Sequence, residues 1–165
     1  MKKDRGHIWL GVANLVENSN GEWLVVKKKY SGLKGLWSLP AGFVQEAETV
    51  EIAAKREVLE ETGIEVDVQG LIGFRSGVIN NTISDNMAIF YSRPVDESAI
   101  LVAQEKEIEV VAWQTPENLA NDSLTSSMLL EMAKNRVEQH LLPVIKGTDP
   151  GRQFGYTAYQ LYFKK

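Results

Sequence analysis

Strand-like runs of β-prone residues fall at His7 to Val16, Trp23 to Lys28, Val66 to Arg75, Met87 to Arg93, Glu109 to Gln114 and Tyr156 to Phe163. Between them, two stretches repeat apolar residues at helical spacing. The first covers Glu46 to Thr62, where Val50, Ala53, Ala54, Val58 and Leu59 form an apolar stripe and Thr62-Gly63 makes a stop, glycine supplying the left-handed cap. The second covers Ser123 to His140, opened by Asp122-Ser123 as cap and turning Leu124, Met128, Leu129, Met132 and Val137 inward. A short helix is expected from Pro116. Strands with helices on two sides predict an α/β fold, a three-layer α/β/α sandwich.

Length and composition agree with one domain over residues 1–165, long enough to bury about two-thirds of its unfolded surface. No apolar run reaches the ~18 residues of a membrane span, and no signal-peptide pattern opens the chain, so a cytoplasmic protein is expected. The absence of cysteine excludes disulfides, thiolate metal sites and covalent cysteine catalysis. A net charge of −4 gives no reason to expect a nucleic-acid backbone as partner.

That charge is unevenly placed. Between Gln45 and Glu65 seven acids stand against Lys55 and Arg56. Glu57, Glu60 and Glu61 are related as i, i+3 and i+4, so on a helix their carboxylates converge on one patch and repel unless a cation lies between them. Oxygen-only ligands at this density suit hard cations such as Mg2+ or Mn2+, which keep waters and bridge to phosphates. Taken alone, an EVLEE string is also compatible with a merely solvated helix face.

The spacing around it decides between these. Gly42, Glu48, Arg56, Glu57, Glu60, Glu61 and Gly63 stand as G-x5-E-x7-R-E-U-x-E-E-x-G-U, with Val58 and Ile64 at the aliphatic positions. This stretch, residues 42–64, resembles the Nudix box of the Nudix (MutT-like) hydrolases, which use divalent metal to cut a diphosphate linked to a moiety X. The resemblance implies the Nudix fold with a mixed sheet. It assigns metal ligation to Glu57, Glu60 and Glu61 with the Gly42 carbonyl, and an orienting role to Arg56. Glu48 would support the loop and helix. Lacking cysteine, the chain departs from the isomerase relatives of this fold. Glu107, six residues before Trp113, matches a position where many members carry a further carboxylate, as fourth ligand or general base; it also alternates with Glu105 and Glu109 as a wet strand face would.

Upstream of the box the family pattern W-x-x-P-G-G is met by Trp37 and Pro40, with Ala41 in place of the first glycine. Lys27 to Lys29, Lys34 and Arg75 are candidates to reach substrate phosphates. Tyr30, Trp37, Phe74 and Tyr91 are candidates to stack on a base. Of these, Lys27, Trp37 and Arg75 are the expected substrate contacts. A proline that marks ADP-ribose relatives would fall near Asn80 and is absent. The expected reaction is attack of metal-activated water on a nucleoside diphosphate linked to X, or on a nucleoside triphosphate. The alternative is a non-catalytic sensor of nucleotide sugars. Residues 147–165 are expected to add a strand, either closing this chain's own sheet or pairing across a homodimer.

Overall fold

The computed structural model describes residues 5–164; residues 1–4 and 165 of the expected single domain lie outside them. Six strands form the larger sheet: β1 (His7–Val16), β4 (Ala41–Phe43), β5 (Val66–Ile79), β6 (Ile83–Pro94), β8 (Leu142–Ile145) and β9 (Leu161–Tyr162), in the order β4-β1-β6-β5-β8-β9. The pairs are antiparallel except β1 with β6, which run parallel from His7↔Ile83 to Val16↔Ser92. The sheet is therefore mixed, as the family resemblance implies. A second sheet holds β2 (Trp23–Lys28), β3 (Trp37–Ser38) and β7 (Ile108–Gln114), in the order β3-β2-β7.

Helix α1 (Val50–Thr62) covers one face of the larger sheet, burying Ala53 and Ala54 against Val12, Ala88 and Phe90. On the other face Ala13, Leu15, Ile72, Ile89 and Tyr91 pack with Trp23, Val25 and Trp37 of the small sheet, and with α2 (Pro116–Asn121) and α3 (Ser127–Asn135). Val58 joins Val16, Leu24, Ile64 and Val66, so α1 touches both sheets. Helices on two sides of strands give the α/β sandwich that the sequence predicts.

Four local expectations need correction. The first helix begins at Val50 rather than Glu46 because Ala47 is held at φ 63, a left-handed conformation that a helix cannot pass, and the Thr49 side chain then caps the Ile52 N–H. Leu59 leaves the apolar stripe and stands 47% exposed, while Glu61 is buried in its stead. The helix expected from Ser123 to His140 is shortened to α3. It is capped by Ser126 and stopped where Arg136 turns left-handed at φ 49, which leaves Leu124 exposed. The strand expected from Tyr156 to Phe163 contracts to β9. β9 pairs with β8 of the same chain, the Tyr162 ring lying edge-on to Phe90 at 5.6 Å.

β5 and β6 run longer than expected, past Arg75 to Ile79 and back beyond Met87 to Ile83. Asn80 and Asn81, at φ 50 and 57, turn the chain between Ile79 and Ile83. Among the described residues no helix is long and apolar enough to cross a membrane.

Candidate functional site

The box folds back so that β4 lies between β1 and α1. Gly42 pairs with Val12, and the Glu57 carboxylate occupies the space where any larger residue at 42 would place its side chain: a Cβ there would fall 2.2 Å from the carboxylate. Glycine is required by this close approach rather than by an unusual φ. Ala41, in the same strand, is not among the positive-φ residues, so its replacement of the first glycine is accommodated.

Arg56 organises the acids. Its Nε and Nη2 form a two-point fork on Glu48 at 2.6 and 3.0 Å, Nη1 reaches Glu57 at 2.7 Å and Glu60 at 3.2 Å, and Nη2 also donates to the Phe43 carbonyl at 3.0 Å. Glu48 in turn accepts the Gln45 N–H at 2.9 Å, tying the loop to the helix. The Arg56 guanidinium holds the Glu48 carboxyl below its ordinary range, and the same contacts raise Arg56 itself. Burial pushes the Glu57 carboxyl up, with Arg56 opposing.

Glu61 is 1% exposed. Lys28 Nζ meets it at 3.0 Å and also donates to the Ala41 carbonyl at 2.8 Å, while the Ala41 N–H points at Glu61 from 3.4 Å. Burial raises the Glu61 carboxyl to about 7 against the pull of Lys28. Glu60 is the outer member of the three, its side chain 49% exposed.

Beyond Gly42 and Glu57 opens a cleft of about 440 Å³. Lys28, Tyr30 and Glu107 line one side, and Arg75, Asp85 and Met87 of the larger sheet line another. The Lys29 N–H donates to the Glu107 carbonyl at 2.8 Å, which fixes the chain at the entry to β7. Burial, and after it the neighbouring Glu107 carboxylate, raise the pKa of the Tyr30 hydroxyl. Arg75 is paired to Asp85 at 2.7 Å.

The structure thus brings Gly42, Glu57, Glu61, Arg75 and Glu107 to one place, with Arg56 and Glu48 behind them and Glu60 at the rim. Lys27 and Trp37, expected as substrate contacts, are not in the cleft. Successive residues of a strand point to opposite faces, so the cation that enters is Lys28; Lys27 lies over the Trp37 ring at 4.4 Å. Trp37 is core, its Nε1 donating to Asp122 at 3.1 Å. Phe74 projects outside the cleft and Tyr91 belongs to the core, leaving Tyr30 as the stacking candidate that does line it. Sequence reasoning had Lys28 only as one of the run Lys27 to Lys29, and missed Trp9, Phe43, Asp85 and Met87.

A divalent cation fits the donor set by its chemistry. The donors are carboxylate and carbonyl oxygens, and Gly42 leaves room beside Glu57 for nothing but that carboxylate. Glu57 and Glu61 are desolvated acids one turn apart on α1. Among the described residues no three acidic or imidazole groups surround a single point; the basic groups of Arg56 and Lys28 take up the charge instead.

Comparison with known proteins agrees with this geometry. The NUDIX domain family matches residues 8–133. Nudix hydrolase 8 of Arabidopsis thaliana is 36% identical over 109 residues, 63% of this chain and 28% of that protein. The ADP-ribose pyrophosphatase of Methanocaldococcus jannaschii is 41% identical over 70 residues, 42% of this chain and 41% of that one. The chain thus spans less than half the length of these curated relatives. In fold it is similar to the MutT protein from Methanosarcina mazei Go1, with a TM-score of 0.68 at 21% identity, covering 83% of this chain and 97% of the other. Since the family match runs from β1 into α3, through every element that builds the cleft, the chain belongs to the Nudix family.

Proposed function

We propose that this chain is a pyrophosphohydrolase, hydrolysing a diphosphate bond in a nucleoside diphosphate linked to a moiety X or in a nucleoside triphosphate. The observation that carries the reading is the placement of Glu57 against Gly42 at the head of a cleft whose far wall presents Glu107. Enzymes of the family generally need a divalent metal. Glu57, Glu60 and Glu61, with the Gly42 carbonyl, would hold Mg2+ or Mn2+. Such an ion, when bound, supplies positive charge against the diphosphate and acidifies water.

The chain's own groups do the rest. Arg56 fixes the direction of the Glu57 carboxylate and opposes the burial that raises its pKa. Lys28 fixes the Glu61 carboxylate at 3.0 Å, opposes the burial that raises it, and adds a cation at the edge of the cleft. Glu107, beside Tyr30 on the wall of the cleft, takes the proton of the attacking water on a carboxylate oxygen. The new P–O bond forms as the bridging P–O bond breaks, and the bridging oxygen leaves with the other phosphate.

The test is product release from ADP-ribose, nucleoside triphosphates, dinucleoside polyphosphates and NADH with Mg2+ or Mn2+, in the native chain and in Glu57→Gln and Glu60→Gln. Metal-dependent cleavage of at least one compound, lost in the variants, supports the reading and names X. No cleavage, with a rise in melting temperature on adding the same compounds, favours the binding-only alternative.

A further inference from the structure

Glu107 reaches the cleft from a segment that belongs to no helix or strand, just before β7. Helix α1 ends with carbonyls that have no partner inside the helix. The Val102 N–H donates to the Thr62 carbonyl at 2.9 Å and the Gln104 N–H to the Glu61 carbonyl at 3.3 Å, so the segment hangs from the last turn of the box helix. The Gln104 carbonyl then accepts from the Glu107 N–H at 3.2 Å and the Ile108 N–H at 2.9 Å, closing a turn over residues 104–107. Backbone hydrogen bonds thus run from Glu61, an acid of the box, through Gln104 to Glu107.

On its other side the turn meets β2. The ladder between β2 and β7 pairs Lys27 with Val110 and Lys28 with Ile108, leaving Glu109 as an extra residue in β7. One extra residue reverses the alternation of side chains beyond it. This bulge therefore sets which way Glu107 points, and Lys29 closes the ladder just past it, its N–H on the Glu107 carbonyl at 2.8 Å. The Lys29 ammonium reaches two residues further back and donates to the Glu105 carbonyl. Lys28 and Tyr30 line the cleft, whereas Lys29 between them does not.

We propose that Lys29 is a positioning residue for Glu107: by gripping the turn at the Glu105 carbonyl, its side chain keeps the Glu107 carboxylate turned into the cleft. The backbone bonds fix the turn at its two ends, Gln104 and Glu107, and leave it free to roll about the line between them. The ammonium on Glu105 removes that freedom. Arginine at this position carries a charged N–H donor on a stem of similar reach and can replace it. The inference rests on the proposed function only in taking Glu107 as the base; the anchoring of the turn is a property of the chain by itself.

Steady-state kinetics of Lys29→Met and Lys29→Arg, on whichever compound the native chain cleaves, are read together with hydrogen exchange at the Glu107 and Ile108 amides. Lys29 is exposed, so Lys29→Met should keep the native fold and melting temperature. Loss of one charge-assisted hydrogen bond gives an expected kcat roughly 10-fold lower with KM little changed, amide exchange faster by a similar factor, and recovery of both in Lys29→Arg. In a Glu107→Gln background the same substitution should cost less than about 2-fold, because no base is left to place. Native kcat with native exchange in Lys29→Met, a loss of equal size in the Glu107→Gln background, or a rise in KM alone would each overturn the proposal. Native turnover in Glu107→Gln sinks the base assignment, and a native chain that cleaves no compound sinks the hydrolase reading. In either case exchange at Glu107 still decides the anchor: faster in Lys29→Met retains it, unchanged overturns it.

Discussion

Gly42 and Glu57 occupy one another's space: the carboxylate stands 2.2 Å from where a Cβ at 42 would be. Gly42→Ala must therefore push Glu57 out of the cleft head or bend β4 away from β1. Displacing a catalytic group by about 1 Å costs on the order of 100-fold in rate. Steady-state turnover of whichever compound the native chain cleaves should fall by that factor, and an Ala variant of native activity would contradict the assignment of Glu57.

Arg56 serves Glu48, Glu57, Glu60 and the Phe43 carbonyl at once. A lysine has no fork and cannot hold them together. Arg56→Lys should lower turnover roughly 10- to 100-fold, as loss of groups that orient metal ligands does. The melting temperature should move by only a few degrees, since a positive charge is retained. A large thermal loss with little change in turnover would make Arg56 a structural residue only.

Lys28 is the partner of a carboxylate with almost no access to water. Removing one member of a buried ion pair costs about 3–5 kcal/mol. Lys28→Met should therefore lower Tm by roughly 6–20 °C at 2–4 °C per kcal/mol. Thermal melts of the native and variant chains decide it, an unchanged Tm being the contrary result.

Burial pushes the hydroxyls of Tyr91 and Tyr162 up to about 12 from an ordinary 10.0. A folded-state pKa above the unfolded one means that the folded chain holds the proton more tightly. The associated stability is complete below pH 10 and is lost as pH rises from about 10 to 12. Denaturant midpoints across that window should fall, and fall less steeply in Tyr162→Phe.

The C-terminal segment acts on the helix of the box. Gln160 donates to Glu51 at 2.7 Å, Lys146 meets the same carboxylate at 3.2 Å, and Tyr162 covers Phe90. A chain cut after Lys146 should melt lower by several degrees, because Phe90 and Glu51 lose their cover. The number of chains in its sedimenting particle should otherwise match that of the full protein; a change of oligomeric state would mean that this strand pairs between copies.

What the sequence disclosed and what it hid follow physical lines. β1 and β2 were readable to their ends because their β-prone runs are bounded by turn residues, and the box because its spacing is rigid. The Asn80-Asn81 turn is a signal that was there to be read, and with it the full length of β5 and β6. Both faces of β2 are buried, so the choice between Lys27 and Lys28 depended on which face turned to Trp37 and which to α1, and no local pattern states that. Burial of Glu61 in place of Leu59 was invisible for a stronger reason. A charged residue enters the interior only where a distant partner, here Lys28, comes to meet it. The Arg75–Asp85 pair likewise exists only after two strands have found their register.

The parallel pairing of β1 with β6 bears on how the protein comes into being. His7 must find Ile83, 76 residues further along, and such non-local contacts form slowly because the intervening loop has first to close. A chain emerging from the ribosome carries the whole box once Ile64 is out, yet the floor opposite it is unmade until Ser92 has followed. Synthesis arrested between those two points leaves the acids of α1 with no cleft to serve.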